Sequence, residues 1–142
     1  MLLVVEDNPA DVGLLKEALK ESPVPVQLCT VPDGTDALAF LYHQDRYHEA
    51  PRPDLILLDL HLPQLPGQDV LAQIKTDATL KQIPVVVLTS STKPEDVAQS
   101  YQLGANAYVQ KPTELAAYIA AVKELIGFWY QRVILPPAAP AS

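Results

Sequence analysis

Some absences narrow the reading at once. A single cysteine, Cys29, excludes any disulfide within the chain, and its apolar surroundings make it a small core residue. Basic residues are too few for a phosphate-binding stripe: ten Lys and Arg against 17 Asp and Glu leave a net charge of −7, which argues against nucleic acid as a partner. No apolar run approaches the roughly 18 residues that a membrane span needs. No charged n-region leads into a long apolar stretch, so no secretory signal is visible. Both G-x-x-x-x-G-K-[ST] and G-x-G-x-x-G are missing, which disfavours a nucleotide site. There is no internal repeat. The expectation is a cytoplasmic protein with neither membrane nor nucleic-acid partner.

What is present is an alternation. At 142 residues, 49% hydrophobic and 19% charged, the chain suits one globular domain with a real core. Residues 2–5 read as a buried strand. Asn8 then Pro9 supplies a helix cap followed by proline at the first helical position, and Val12, Leu15 and Leu19 recur at helical spacing. Residues 24–31 read as a second strand, placed at a sheet edge by Pro25. Residues 33–44 are helical, and 45–52 form a polar connection. Residues 55–58 are a third strand, with Val70, Leu71 and Ile74 marking the next helix. Residues 85–88 are a fourth strand. Val97 and Tyr101 mark a fourth helix, which Gly104 ends. Residues 107–109 are a fifth strand, and Leu115, Tyr118, Ile119, Val122 and Ile126 give the strongest helical stripe. The 14 prolines fall mostly at these element edges. Five strands separated by helices imply an α/β fold, a doubly wound parallel sheet covered on both faces.

Polar groups gather at the strand ends. The first strand runs into Glu6 and Asp7, the third into Asp59, the fourth into Thr89, Ser90 and Ser91, and the fifth into Gln110 and Lys111. Open α/β sheets bind ligands outside the carboxyl ends of their strands, where strand order switches. In a flavodoxin-like order, 2-1-3-4-5, the first and third strands are neighbours about 4.8 Å apart, and Asp7 and Asp59 reach one ion. Oxygen-only ligands with room for water suit Mg²⁺. An ammonium from Lys111 and a hydroxyl from Thr89 complete a receptor for a phosphoryl group, with Asp59 as nucleophile. Each feature alone has an ordinary reading. Asp59 could cap a loop, Glu6-Asp7 could serve a helix start, Thr89 to Thr92 could be a loop, and Lys111-Pro112 a turn. Their succession at consecutive strand ends is the specific signal.

The segments "VVEDNPAD", "PDLILLDLHLP", "IPVVVLTSS" and "GANAYVQKP" stand in the order and spacing of the receiver domain of two-component response regulators, the CheY-like family, which residues 1–127 closely resemble. The resemblance implies that Asp59 is the phosphoacceptor. Asp7, Asp59 and the backbone carbonyl of His61 would ligate Mg²⁺, with Glu6 acting through water. Thr89 and Lys111 would contact the phosphoryl group, Thr89 and Tyr108 would form the switch, and a cis Lys111–Pro112 bond is admitted. The implied function is a phosphotransfer module, not an enzyme, which takes its phosphoryl group from a sensor histidine kinase and signals through protein partners. The segments "HQDRYHEAPRP" and "IGFWYQRVILP" look like those of regulators that partner phytochrome-type kinases, so a bacteriophytochrome is the plausible donor. Two rivals remain at this point. A phosphohydrolase of the haloacid-dehalogenase type needs a second Asp where His61 stands. A receiver-like binding module that is never phosphorylated would not require the full set of site residues. Residues 128–142 form a C-terminal extension. Its apolar stretch "FWYQRVIL" favours a homodimer over packing on its own domain, and the Pro/Ala-rich "LPPAAPAS" reads as a mobile tail.

Overall fold

The structure, a computed structural model, describes residues 1–137. The last residues of the Pro/Ala-rich tail, 138–142, lie outside the described residues. Five strands, β1 (Leu2–Val5), β2 (Leu28–Val31), β3 (Leu55–Leu58), β4 (Val85–Thr89) and β5 (Ala107–Gln110), alternate with five helices. The helices are α1 (Pro9–Lys20), α2 (Gly34–Leu41), α3 (Gly67–Thr76), α4 (Pro94–Gln102) and α5 (Leu115–Gly127). All strand pairs are parallel, in the order β2-β1-β3-β4-β5. The expected doubly wound, flavodoxin-like sheet is present.

Side chains alternate across the sheet with period two, and each face builds a core. Leu3, Val5, Ile56, Leu58, Val85 and Val87 point to one face and pack with α2 and α3 through Phe40, Leu41, Val70, Leu71 and Ile74. Leu2, Val4, Leu55, Leu57, Val86 and Leu88 point to the other, against Leu15 and Ala18 of α1 and Tyr118, Val122, Leu125 and Ile126 of α5. Burial on both faces is why β1, β3 and β4 read as unbroken apolar runs. Cys29, on the edge strand β2, is half-buried and packs at the margin of the first core.

Several boundaries differ from expectation. β2 begins at Leu28 rather than Val24. Pro23 and Pro25 have no N–H to give a ladder, and the chain there is held in a turn by Ser22, whose hydroxyl donates to the Val24 carbonyl at 2.7 Å. α2 ends at Leu41 because His43 takes φ +56°, which no helix continues through. The polar connection contains a 3₁₀ turn, Asp45–Tyr47. It is pinned by Tyr47 against Phe40 at 5.4 Å between ring centroids and by Arg46 donating to Asp36 at 2.7 Å. Beyond α5 the chain makes a π-type turn, Phe128–Arg132. Trp129 and Tyr130 pack on the second core, whereas Phe128 and Ile134 are 56% and 95% exposed. Part of the apolar extension therefore does fold back on its own domain.

Candidate functional site

The carboxyl ends of β1, β3 and β5 open onto one cleft of about 530 Å³, lined by Glu6, Asp7, Asn8, Asp11, Asp59, His61, Ser90, Lys111, Pro112, Thr113 and Tyr118. Backbone pairing sets its geometry. The Asp59 N–H donates to the Val5 carbonyl at 3.1 Å and the Glu6 N–H to the Val31 carbonyl at 3.0 Å. The ladders thus extend one residue past the strands and hold both acids at adjacent strand ends. Asn8 caps α1, its side-chain oxygen accepting from the Ala10 N–H at 2.9 Å. The Asn8 N–H in turn donates to Glu6 Oε1 at 3.3 Å. Behind Asp59 the start of α3 comes so close that a Cβ on Gly67 would lie 2.4 Å from the Asp59 carbonyl oxygen. No other residue type fits there without moving the strand end.

Lys111 stands at the centre. Its Nζ donates to Glu6 Oε2 at 2.9 Å, to Asp11 Oδ2 at 2.9 Å and to Asp59 Oδ2 at 3.0 Å. The other oxygen of Asp59 accepts from the His61 N–H at 3.1 Å. The main chain of Lys111 is fixed to β4, its N–H donating to the Thr89 carbonyl at 2.7 Å. Burial drives the Glu6 carboxyl up to about 8, reinforced by the Asp59 contact and opposed by Lys111. Burial pushes Asp59 the same way, but the Glu6 hydrogen bond and the Lys111 charge outweigh it and hold Asp59 below the usual carboxylate range. Burial disfavours the Lys111 ammonium, yet its carboxylate partners raise it well above the ordinary lysine value. The two shifts run in opposite directions, so Glu6 takes up a proton more readily than Asp59 does.

Glu6, Asp7 and Asp59 each offer a carboxylate oxygen, all within 4.8 Å of one another. Three hard oxygen donors in a solvent-open cleft fit a divalent cation that keeps part of its water shell. Of the residues expected at the site, the structure brings Glu6, Asp7, Asp59, His61 and Lys111 to this cleft. It does not bring Thr89 or Tyr108. Thr89 is fully buried, and its hydroxyl accepts from the Ser91 N–H at 3.5 Å. Ser90 forms the wall instead. Tyr108 lies beyond that loop, and its hydroxyl donates to the Ser91 carbonyl at 2.9 Å. Burial, with Asp96 and Asp59 nearby, raises the phenol and keeps it a donor. Ser91 also donates to Asp96 in α4 at 2.5 Å, so one loop touches both β5 and α4. The Lys111–Pro112 bond is trans, since no cis peptide occurs among the described residues. This corrects the cis form that the resemblance admits, and trans is the isomer favoured for X-Pro bonds by about 0.5–1 kcal/mol.

The sequence pattern does not point to three residues of the cleft, Asp11, Thr113 and Tyr118. Asp11 lies on a helix whose periodicity speaks only for its apolar face, Val12, Leu15 and Leu19. Its position in the first turn after the Asn8 cap, beside the Glu6-Asp7 pair, was the available signal. Tyr118 belongs to the apolar stripe of α5, and only the packing of α5 against α1 brings it to the cleft.

Residues 2–123 match the response regulator receiver domain family. The chain is 46% identical over 138 residues to the response regulator Rcp1 of Synechocystis sp., covering 97% of this chain and 94% of that one. It resembles the Mn²⁺-bound form of Rcp1 with a TM-score of 0.92, over 96% and 98% of the two chains. It is also similar to the phosphorylated cyanobacterial phytochrome response regulator RcpA, with TM-score 0.93 and 47% identity over 96% and 97%. The bacteriophytochrome response regulator AtBRR follows at TM-score 0.72 and 42% identity, over 90% and 93%.

Proposed function

The chain belongs to the response regulator receiver domain family, and from that premise we propose that it accepts a phosphoryl group on Asp59 from a sensor histidine kinase and passes the signal to protein partners. The observation that carries this is the coordination of Asp59. One oxygen is held by the His61 N–H and the other by Lys111, at the rim of an open acidic cleft. A carboxylate kept ionised and aimed in this way is a ready nucleophile. In the reaction a carboxylate oxygen of Asp59 forms a bond to phosphorus. The bond from phosphorus to the kinase's imidazole nitrogen breaks, and that nitrogen keeps the electron pair.

Mg²⁺, held by Asp7, Asp59, the His61 carbonyl and Glu6 through water, would neutralise charge on the phosphoryl oxygens when bound. Lys111 orients the acceptor and supplies the fixed positive charge. The product carries roughly one more negative charge than the carboxylate, and that charge draws the Thr89 hydroxyl toward it. The Thr89–Ser91 loop is bonded to Tyr108 and to Asp96. Its movement therefore reaches the α4–β5 surface as a shift between two arrangements. The role is that of a phosphoacceptor rather than a turnover enzyme.

Similarity to RcpA and AtBRR supports a phytochrome-type kinase, a bacteriophytochrome included, as the donor. We also place the receiver domain at 1–127 and assign 128–142 to an extension whose exposed Phe128 and Ile134 join two copies in a homodimer. No helix among the described residues is long and apolar enough to cross a membrane, which is consistent with the cytoplasmic setting that such a partner implies. The test is direct. Acetyl phosphate with Mg²⁺ should add one phosphoryl mass to the intact protein, and Asp59→Asn should abolish the addition. Undiminished labelling of that variant would overturn the assignment.

A further inference from the structure

An ammonium has three hydrogen-bond donors, and those of Lys111 are taken by three carboxylates. Two of these belong to the strand ends. The third, Asp11, comes from the third helical position of α1. A carboxylate there usually bonds back to the N–H of the capping residue, or simply faces the positive end of the helix. Asp11 is not occupied in that way, because the Asn8 N–H donates to Glu6. The Asp11 carboxylate instead crosses to a lysine 100 residues further along the chain. The contact is sheltered: the Asp11 side chain is 23% exposed and that of Lys111 is 11%. Buried Tyr118 lines the cleft beside both.

We propose that Asp11 is a positioning residue that competes with the phosphoryl group for Lys111. The inference rests on Asp59 being the phosphoacceptor. Lys111 has no fourth donor, so a bond to a phosphoryl oxygen requires it to give up one carboxylate. Glu6 and Asp59 are 6% and 7% exposed, so neither is easily rehydrated. Asp11 is the most exposed of the three, and water replaces Lys111 there most readily. Before phosphorylation Asp11 draws the ammonium toward α1 and adds a negative charge beside the path of an anionic donor. After phosphorylation Asp11 is released, and the first turn of α1 loses its tie to β5.

The experiment compares phosphorylation by acetyl phosphate with Mg²⁺ in the wild-type protein and in Asp11→Asn, Asp11→Ala and Asp11→Glu, followed by intact mass. In each reaction an Asp59 oxygen bonds phosphorus and acetate departs with the electrons of the broken P–O bond. Both neutral variants should raise the second-order rate constant by about three- to tenfold, the worth of one freed charge-assisted hydrogen bond. Asp11→Glu should restore the wild-type rate. A purely structural role would make Asn and Ala differ in step with their thermal stability. Rate constants within twofold of wild type in both neutral variants, or lower, overturn the role of Asp11 alone. No labelling of the wild-type protein removes the phosphoacceptor reading and this one with it.

Discussion

Glu6 holds its proton to about 8 because burial and the neighbouring Asp59 outweigh Lys111. The ordinary value is 4.5, so between these limits the folded chain keeps a proton that the unfolded chain has released. The associated stability is complete below about 4.5 and is lost as pH rises through about 8. Asp59 works in the opposite sense. Its depressed value gives stability above the ordinary carboxylate range, lost on acidification through the folded-state value. The metal-free protein should therefore lose stability from pH 5 toward pH 9 through Glu6. A divalent ion drawn to the three acids displaces the same proton. Mg²⁺ should bind more tightly at pH 8.5 than at pH 6.5, with about one proton released per ion near neutrality. Calorimetric titration in buffers of differing ionisation enthalpy measures both, and an affinity flat across that range would contradict the proton assignment.

At the scale of the element, the end of α5 divides its aromatic residues between two tasks. Trp129 and Tyr130 complete the second core, while Phe128 and Ile134 face outward. The two pairs should separate by mutation. Trp129→Ala should cost about 2–4 kcal/mol in urea unfolding, below the cost at a fully buried aromatic site because Trp129 is only half-buried. Phe128→Glu combined with Ile134→Glu should leave unfolding nearly unchanged and give a monomeric mass by light scattering. A wild-type protein that is itself monomeric at micromolar concentration would end the dimer proposal. The division was not legible in the sequence, where three aromatics in a row, Phe128 to Tyr130, and a further apolar run after Gln131 and Arg132 carry no usable period. The helical stripe before them was legible, because its residues repeat at helical spacing; Tyr118, Val122 and Ile126 are buried as expected, while Leu115, in the first turn, is exposed. At β2 the apolar letters suggested an earlier start, and the two prolines decided the matter.

For the molecule as a whole, strand order and the strand-end site could be read because each parallel strand displays its function at one end. The acid pair, Asp59 and Lys111 needed only the topology to meet. Asp11 and Tyr118 needed helix rotation and the packing of α1 on α5, which no local pattern encodes. Resting positions of side chains also lie outside local pattern, and thus Thr89 and Tyr108 stand apart from the cleft. The same architecture distributes burial unevenly: β1, β3 and β4 are enclosed on both faces, whereas every residue of β5 is at least partly accessible. In deuterium oxide, the amides of β1 and β3 should exchange only when the whole chain unfolds, and those of β5 through smaller, more frequent openings. Peptide-resolved exchange should find β5 labelled well before β3. The reacting aspartate would then be anchored in the most slowly opening part of the molecule, and the message would travel through the part that opens most easily.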